Sequence, residues 1–458
     1  MPRWDGLQRR LEDTAKAMVS PAVSPAAAIE DSSAAVGDAL MALIARLYPL
    51  PRSLTGRGVR ETLAILGELI PLTLSEVPSG SPVYDWEVPK EWTIRDAYIK
   101  DASGRRIVDY REHNIHVVGY SVPVRATLDL EDLRPHLHTL PDRPDWIPYR
   151  TTYWKETWGF CLSHRTLESL KPGPYEVVID SSLTNGALTY AECVLPGATT
   201  DEVLLFTHTC HPSLCNDNCS GMALATLVAR ALAQRPRRYT YRFVFAPGTI
   251  GSLTWLSRNE DTVSRVRHGL VLTGFGDPGP FTYKRSRRGD APIDHIVEYL
   301  LERADGPKAN IVDFSPYGYD ERQFCSPGFN LPMGRLSRTP YGCYPQYHTS
   351  ADTLSFISKE QLEGAYALLM RILEVVDADR KLVNTCPKGE PRLGKRGLFR
   401  STGGTGVSNR EEAMLWLLNQ SDGERSLLDI AKRSGLDFTL IKSSADSLID
   451  CGLLVDPA

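Results

Sequence analysis

The chain has 458 residues, with 52 Lys and Arg against 56 Asp and Glu, a formal charge of −4. That near balance excludes a strongly basic nucleic-acid binder and a polyacidic tail, and 42% hydrophobic with 24% charged residues describes a globular protein with a sizeable core. At roughly 150 residues per domain the length predicts about three domains.

Residues 1–33 include PAVSPAAAIEDSSAA and hold no aromatic residue after Trp4, so they read as a flexible leader. Acidic residues stand where a signal peptide carries its apolar core, and no run of about 18 apolar residues occurs. The expected location is the cytoplasm, with no membrane partner. Nine cysteines without a CxxC then read as reduced thiols. Cys210, Cys215 and Cys219 lie close together, but their spacing does not match a structural zinc module.

Apolar residues at helical spacing in VGDALMALIARLYPL and RETLAILGELI predict two helices opening the core over 34–83. Alternating apolar and polar residues then predict a small β-rich lobe inserted over 84–175. Its run LRPHLHTLPDRPDWIPYR resists helix and is expected to lie over another domain. The lobe's Trp86, Trp92, Tyr153, Trp154 and Trp158 suit core packing, with lining of a substrate pocket as the alternative. Over 176–380, YEVVIDSS, LTYAECVL, EVLLFTH and YTYRFVFAP read as strands alternating with helices such as SGMALATLVARALAQ. That pattern predicts an α/β core with a three-layer, mixed and mostly parallel sheet.

Residues 381–410 are Gly, Arg and Lys rich without periodicity and read as a linker. Residues 411–458 follow in winged-helix order. Four cations against nine acidic residues there give the wrong sign for DNA phosphates. The expectation is a packing or oligomerisation module that makes a homodimer, with no nucleic-acid partner.

Chemistry concentrates in EVLLFTHTCHPSLCNDNCSG, where a strand ends at His208, His211 follows, and a polar loop delivers Asp217. Ligands of open α/β sheets bind beyond the carboxyl ends of strands, and His nitrogen with carboxylate oxygen is the set zinc takes when one position stays open. Taken singly, His208 suits a satisfied strand-end histidine and Asp217 a helix cap. His348, in YGCYPQYHTSADTLSFIS, offers a further ligand, with Tyr347 beside it as a substrate contact. Asp320 and Glu321, in a loop punctuated by Gly and Pro, are the acids placed to carry protons, or else an exposed pair bridged to Arg322. The run YKRSRRGD carries Arg285, Arg287 and Arg288, which read as a solvated face or as recognition of a substrate carboxylate or phosphate.

These motifs carry a resemblance. HTxxDT before a long helix, with NDNxSG after a histidine-bearing strand, resembles the zinc aminopeptidase superfamily of the phosphorylase/hydrolase-like fold, which includes leucyl aminopeptidases, glutamate carboxypeptidases and glutaminyl cyclases. More closely, YDWEVPKEW, THTCHPSLCNDNCSG, PGTIGS and QYHTSADTL resemble a bacterial aminopeptidase-like family with an inserted β lobe and a terminal winged helix. The likeness spans roughly residues 34–458. Members are similar to peptidases in fold, and many are associated with polysaccharide or secondary-metabolite biosynthesis.

The resemblance implies a zinc site of Asp217, His348 and either His208 or His211, with one zinc per chain. Three positions depart from the dinuclear pattern: Gly248 replaces an expected glutamate, Thr273 an expected aspartate, and Cys210 the carboxylate two residues after His208. The implied activity is hydrolysis of an amide in a small peptide or an aminoacylated metabolite. The alternatives are a catalytically degenerate metal-binding scaffold of a biosynthetic pathway and a zinc-dependent acyl-transfer or cyclisation enzyme.

Overall fold

A computed structural model describes residues 33–304, 306–398 and 408–457. The leader expected over 1–33 lies outside them save for Ser33, as does the middle of the expected linker. The chain opens with helices α1 (Ser33–Leu47) and α2 (Arg57–Gly67) and strand β1 (Thr73–Pro78). A lobe follows, with strands β2 (Glu91–Lys100), β3 (Arg106–Asp109), β4 (Val124–Asp129) and β5 (Pro174–Thr184), all paired antiparallel. The core then adds β6 (Ala187–Leu195), β7 (Glu202–His208), α3 (Ser220–Leu232), β8 (Thr240–Ala246), α4 (Ile250–Arg258), β9 (Val266–Leu272), β10 (Thr282–Lys284), α5 (Pro292–Glu302), β11 (Asn310–Val312), β12 (Met333–Ser337) and α6 (Lys359–Ala378).

The main sheet has eight strands in the order β1-β6-β8-β7-β9-β12-β10-β11. Its centre, β8, β7, β9 and β12, is parallel, and its antiparallel pairs flank that centre. All of β7 is buried, as a strand covered on both faces must be, and this is why its middle, VLLF, is continuously apolar. The strand period of two then divides the interior. Val203 and Leu205 face a core built with the helices and the carboxyl-terminal unit, whereas Leu204 and Phe206 face one shared with the lobe and α4.

One strand belongs elsewhere than expected. YEVVIDSS forms β5, the centre of the lobe sheet, with β2 and β4 as neighbours. Alternation identifies a strand but not the sheet it joins. The lobe also reaches over the core, since Pro148 bridges to Thr349, and Ile147 and Ser350 exchange hydrogen bonds of 2.8 and 3.0 Å.

The carboxyl-terminal unit contains β13 (Lys381–Asn384), α7 (Asn409–Gln420), β14 (Asp422–Ser426), α8 (Leu427–Ser434), α9 (Phe438–Asp450) and β15 (Leu454–Val455). Here β13 pairs with both β14 and β15, so residues 381–384, expected in a linker, close the sheet of this winged helix. Ser426 caps α8 in a capping box with Asp429, and Gly435, at φ 74°, ends it. Among the described residues no helix is long and apolar enough to cross a membrane.

Burial also fixes a pH response. His268 on β9 is 6% exposed, its Nδ1 has no partner, and burial pushes its pKa down to about 4. The folded state therefore favours the neutral ring. Its contribution is complete above the ordinary histidine value and is lost as pH falls from about 6.5 towards 4, by at most about 3 kcal/mol. Urea melts between pH 7 and 4 are expected to show this acid limb, and His268→Phe to flatten it.

Candidate metal centre

His208 ends β7, at the carboxyl edge of the parallel strands. The chain then leaves the sheet through His211, passes Ser213 at φ 43°, and makes one irregular turn, Cys215–Cys219, before α3 begins. Asp217 lies in that turn with non-helical φ −113° and ψ 81°, and its peptide bond to Asn218 is cis. Asp352 holds the turn in place: its carboxylate accepts the N–H groups of Asn216 at 2.7 Å and Asp217 at 3.0 Å, and its carbonyl accepts that of Cys215 at 3.1 Å. Buried Arg52 acts from the other side, donating to the His211 carbonyl at 2.9 Å and to Cys219 Sγ at 3.1 Å.

The loop before α6 supplies His348, held at φ 54°. This is a left-handed conformation that costs a non-glycine residue on the order of 1–3 kcal/mol. The lobe supports it, because Tyr149 donates its N–H to the His348 carbonyl at 2.8 Å. The Tyr149 ring stands edge-on to His348 at 5.1 Å and to His211 at 5.4 Å. Tyr347 stacks on His348 at 3.9 Å, and Tyr319 stacks on His208 at 5.4 Å. Each imidazole is thereby clamped by an aromatic ring.

The four candidate ligands come together, the three histidines around Asp217. His208 Nε2 lies 2.9 Å from Asp217 Oδ1, His211 Nδ1 lies 3.7 Å from that oxygen, and His348 Nε2 lies 3.0 Å from Oδ2. His208, His211 and Asp217 each offer an atom within 4.8 Å of the others. The fit to a metal rests on direction as well as distance. His211 Nδ1, His348 Nε2 and Asp217 Oδ2 are buried without a hydrogen-bond partner, although two of them are 3.0 Å apart. Donor atoms that crowd together yet miss one another's hydrogen-bond axes suit a shared cation at about 2.0–2.2 Å from each.

Protonation agrees with that use. Burial alone would raise the Asp217 pKa, but His211, His208 and His348 hold it well below the carboxylate range. Burial pushes the His211 pKa down to about 3, leaving it neutral. The neighbouring thiols are pushed up by burial, Cys210 to about 12 and Cys219 in the same direction, so they remain thiols rather than thiolate ligands.

Asp320 is 3% exposed and precedes a single helical turn, Glu321–Phe324. Its Oδ1 accepts the Thr249 N–H at 2.7 Å and the Ser252 hydroxyl at 2.6 Å. A side chain built at Gly248 would start 3.8 Å from Asp320 Oδ2 and 3.8 Å from His208 Cβ. Asp320 thus brings a carboxylate, from another loop, beside the position where Gly248 has none. Burial raises its pKa.

Glu321 is instead ion-paired to buried Lys284 at 2.9 Å, so the alternative of an exposed pair bridged to Arg322 does not hold. The basic run is engaged by other residues. Arg285 pairs with Glu298 and Asp313, while Arg287 and Arg288 both bond to Asn330, to its side chain and carbonyl respectively.

Sequence reasoning missed Tyr149, Tyr319 and Arg52, none of which lies in a chemical motif; Asp352 carried a signal in its fixed spacing after His348. Asp352→Ala is expected to weaken zinc affinity about 10–100-fold, as loss of a residue that orients a ligand does. Competition with a chromophoric chelator measures this, and an unchanged affinity would separate Asp352 from ligand positioning.

Comparison with known proteins adds the following. Residues 41–379 match the model of a family described as a domain of unknown function, DUF4910, and residues 380–456 match a winged helix-turn-helix model. A Clostridium acetobutylicum protein, provisionally named a polysaccharide biosynthesis protein with an aminopeptidase-like domain, is 50% identical over 424 residues, which is 92% of this chain and 97% of that protein. The crystal structure of a provisionally named peptidase from the same organism superposes with a TM-score of 0.87 at 48% identity, over 92% of this chain and 97% of that one. A zinc aminopeptidase from Bacillus subtilis has a TM-score of 0.56 at 14% identity, over 74% of this chain and 94% of that one. For an M28 peptidase precursor from Shewanella amazonensis the values are 0.52 and 14%, over 81% and 96%. These last two share the fold alone.

Proposed function

The chain belongs to the DUF4910 family, with a winged helix-turn-helix at its carboxyl end, and from that premise we propose that it is a zinc-dependent hydrolase of an amide bond in a small peptide or aminoacylated metabolite. The observation that carries this reading is the set of converging, unpartnered donors on His211, Asp217 and His348, with His208 against the same carboxylate. The aminopeptidase-like fold supports it, and so do the zinc aminopeptidase and the M28 peptidase precursor among the structural neighbours.

His208, His211, Asp217 and His348 would hold a zinc ion, which would supply Lewis acidity toward the carbonyl of the scissile amide. The remaining work falls to the chain. Tyr149, Tyr319 and Tyr347 lock the imidazole planes, so that little reorganisation accompanies reaction. Asp320 is the proton carrier: its Oδ1 is fixed by Thr249 and Ser252, and its raised pKa lets it hold a proton further towards neutrality than a solvated aspartate does. One zinc per chain is the expected stoichiometry, because Gly248 and Thr273 offer no carboxylate to a second ion.

Those same two positions favour a second reading, a metal-containing scaffold of a biosynthetic pathway without turnover. Acyl transfer or cyclisation would use the same carbonyl activation with a different nucleophile. Metal content combined with turnover of aminoacyl amides by metal-loaded and chelated protein separates these readings. Turnover only in the loaded protein supports hydrolysis, and bound zinc without turnover supports the scaffold.

A further inference from the structure

Arg52, Arg335 and Arg338 are the buried arginines among the described residues. Arg52 is satisfied by the carbonyls of His211 and Leu47 and by Cys219 Sγ, and Arg338 by the carbonyls of Phe275, Gly279 and Gln361. Arg335 differs. It is 3% exposed, its Nε is sealed from solvent without a partner, and among the described residues it makes neither hydrogen bond nor ion pair. Its guanidinium meets only ring faces, those of Tyr319 at 5.8 Å and Tyr341 at 5.6 Å. A charge removed from water without a partner is costly, and protein interiors normally pair or solvate it.

Neighbouring charges leave this cation uncompensated. Arg335 stands directly across from Lys284 in the antiparallel register of β12 and β10. Lys284 is already neutralised by Glu321 at 2.9 Å, so Lys284, Glu321 and Arg335 sum to one positive charge. Asp320 directs its Oδ1 to Thr249 and Ser252.

The location ties this charge to the metal centre. The ring of Tyr319 stacks on His208 at 5.4 Å and also faces Arg335. Tyr341 packs edge-on to Tyr319 at 5.2 Å and to Tyr317 at 5.4 Å, and Tyr317 is 68% exposed. One aromatic ring thus separates a metal-binding histidine from a buried, unpaired guanidinium, and exposed aromatic surface adjoins it.

We propose that Arg335 is the recognition site for an anionic group of the substrate, a carboxylate or a phosphate, held one tyrosine ring away from the scissile amide. The word substrate rests on the hydrolase reading; the anion site rests on Arg335 itself. A planar guanidinium binds either group through paired N–H donors, and its value rises in a desolvated setting. The occupant also resolves the orphaned charge. The substrate class becomes an aminoacyl or peptidyl amide that bears a negative charge.

The test is calorimetric titration of metal-free, full-length protein with succinate and, separately, with inorganic phosphate, so that no zinc competes for either probe. Saturable binding of one or both is expected, and the tighter probe indicates whether a carboxylate or a phosphate is the natural group. Arg335→Met is expected to weaken binding at least tenfold. Arg335→Lys, which keeps the charge but loses the fork, should fall between the two, and it decides the matter alone if the Met variant does not fold. Absence of binding to the wild-type protein, or wild-type affinity in the variants, would overturn the proposal. Anion binding lost in Arg335→Met while no aminoacyl amide is turned over would remove the hydrolase reading and keep this one. Zinc-dependent turnover with anion affinity unchanged in the variants would do the reverse.

Discussion

Asp217→Ala is expected to yield folded protein with no bound zinc and no amide turnover, where the parent carries about one zinc per chain. The carboxylate is the only anion among the four converging side chains, with His208 Nε2 at 2.9 Å from one oxygen and His348 Nε2 at 3.0 Å from the other. Removing it leaves only the three histidine side chains and no carboxylate to balance a divalent charge. The loss of affinity should exceed the roughly 10–100-fold typical of residues that only orient ligands. The fold should persist, because the turn is also held by Asp352 on backbone N–H groups and by Arg52 on the His211 carbonyl. Elemental analysis of protein purified without added metal, beside a thermal melt, reads both quantities. Zinc at unit stoichiometry in the folded variant would remove Asp217 from the ligand set, and about two zinc ions in the parent would mean that other groups stand in for the carboxylates missing at Gly248 and Thr273.

Asp320→Asn is expected to keep zinc and lower kcat by about 10²–10⁴-fold, the usual share of a positioned general acid or base. Asparagine preserves the shape and can still accept from the Thr249 N–H and the Ser252 hydroxyl, which bond to Oδ1 at 2.7 and 2.6 Å. What it loses is the exchangeable proton. Metal content must therefore stay near that of the parent while kcat falls, a pattern that a merely structural role would not give. A kcat within twofold of the parent would move the proton-carrying role to another group. Glu321 is poorly placed to inherit it, since its Oε1 is engaged by Lys284 and the pair is buried.

Much of the fold was legible because its signals are local. Continuous apolar strands alternating with amphipathic helices require a sheet covered on both faces, and the sheet is so built, with its central strands parallel. The terminal winged helix was legible for the same reason, although β13 was not, because KLVN is too short to stand out from a Gly- and Lys-rich surrounding. YEVVIDSS was read correctly as a strand, but its assignment to the lobe sheet depends on β2 and β4, whose paired residues lie 45 or more positions away in the chain. Local alternation holds no information about partners at that distance.

The convergence of the candidate ligands was legible as well, since a histidine at a strand end, an aspartate before a helix and a late histidine meet beside one carboxylate. The sequence by itself determined which residue types could meet at the carboxyl edge of the sheet, and that Gly248 withholds a carboxylate there. Only the tertiary structure decided that His208 and His211 both face Asp217, that Tyr149 crosses from the lobe to brace His211 and His348, and that Asp320 Oδ2 lies beside Gly248 while Glu321 is held by Lys284. It also decided the cations. Arg285, Arg287 and Arg288 form a conspicuous run yet find partners at Glu298, Asp313 and Asn330, whereas Arg335, unremarkable in MGRLS, is buried without one. Charge and spacing are written along the chain, but burial and pairing depend on what packs against a residue from remote segments, and those terms set whether a charge is spent or left available.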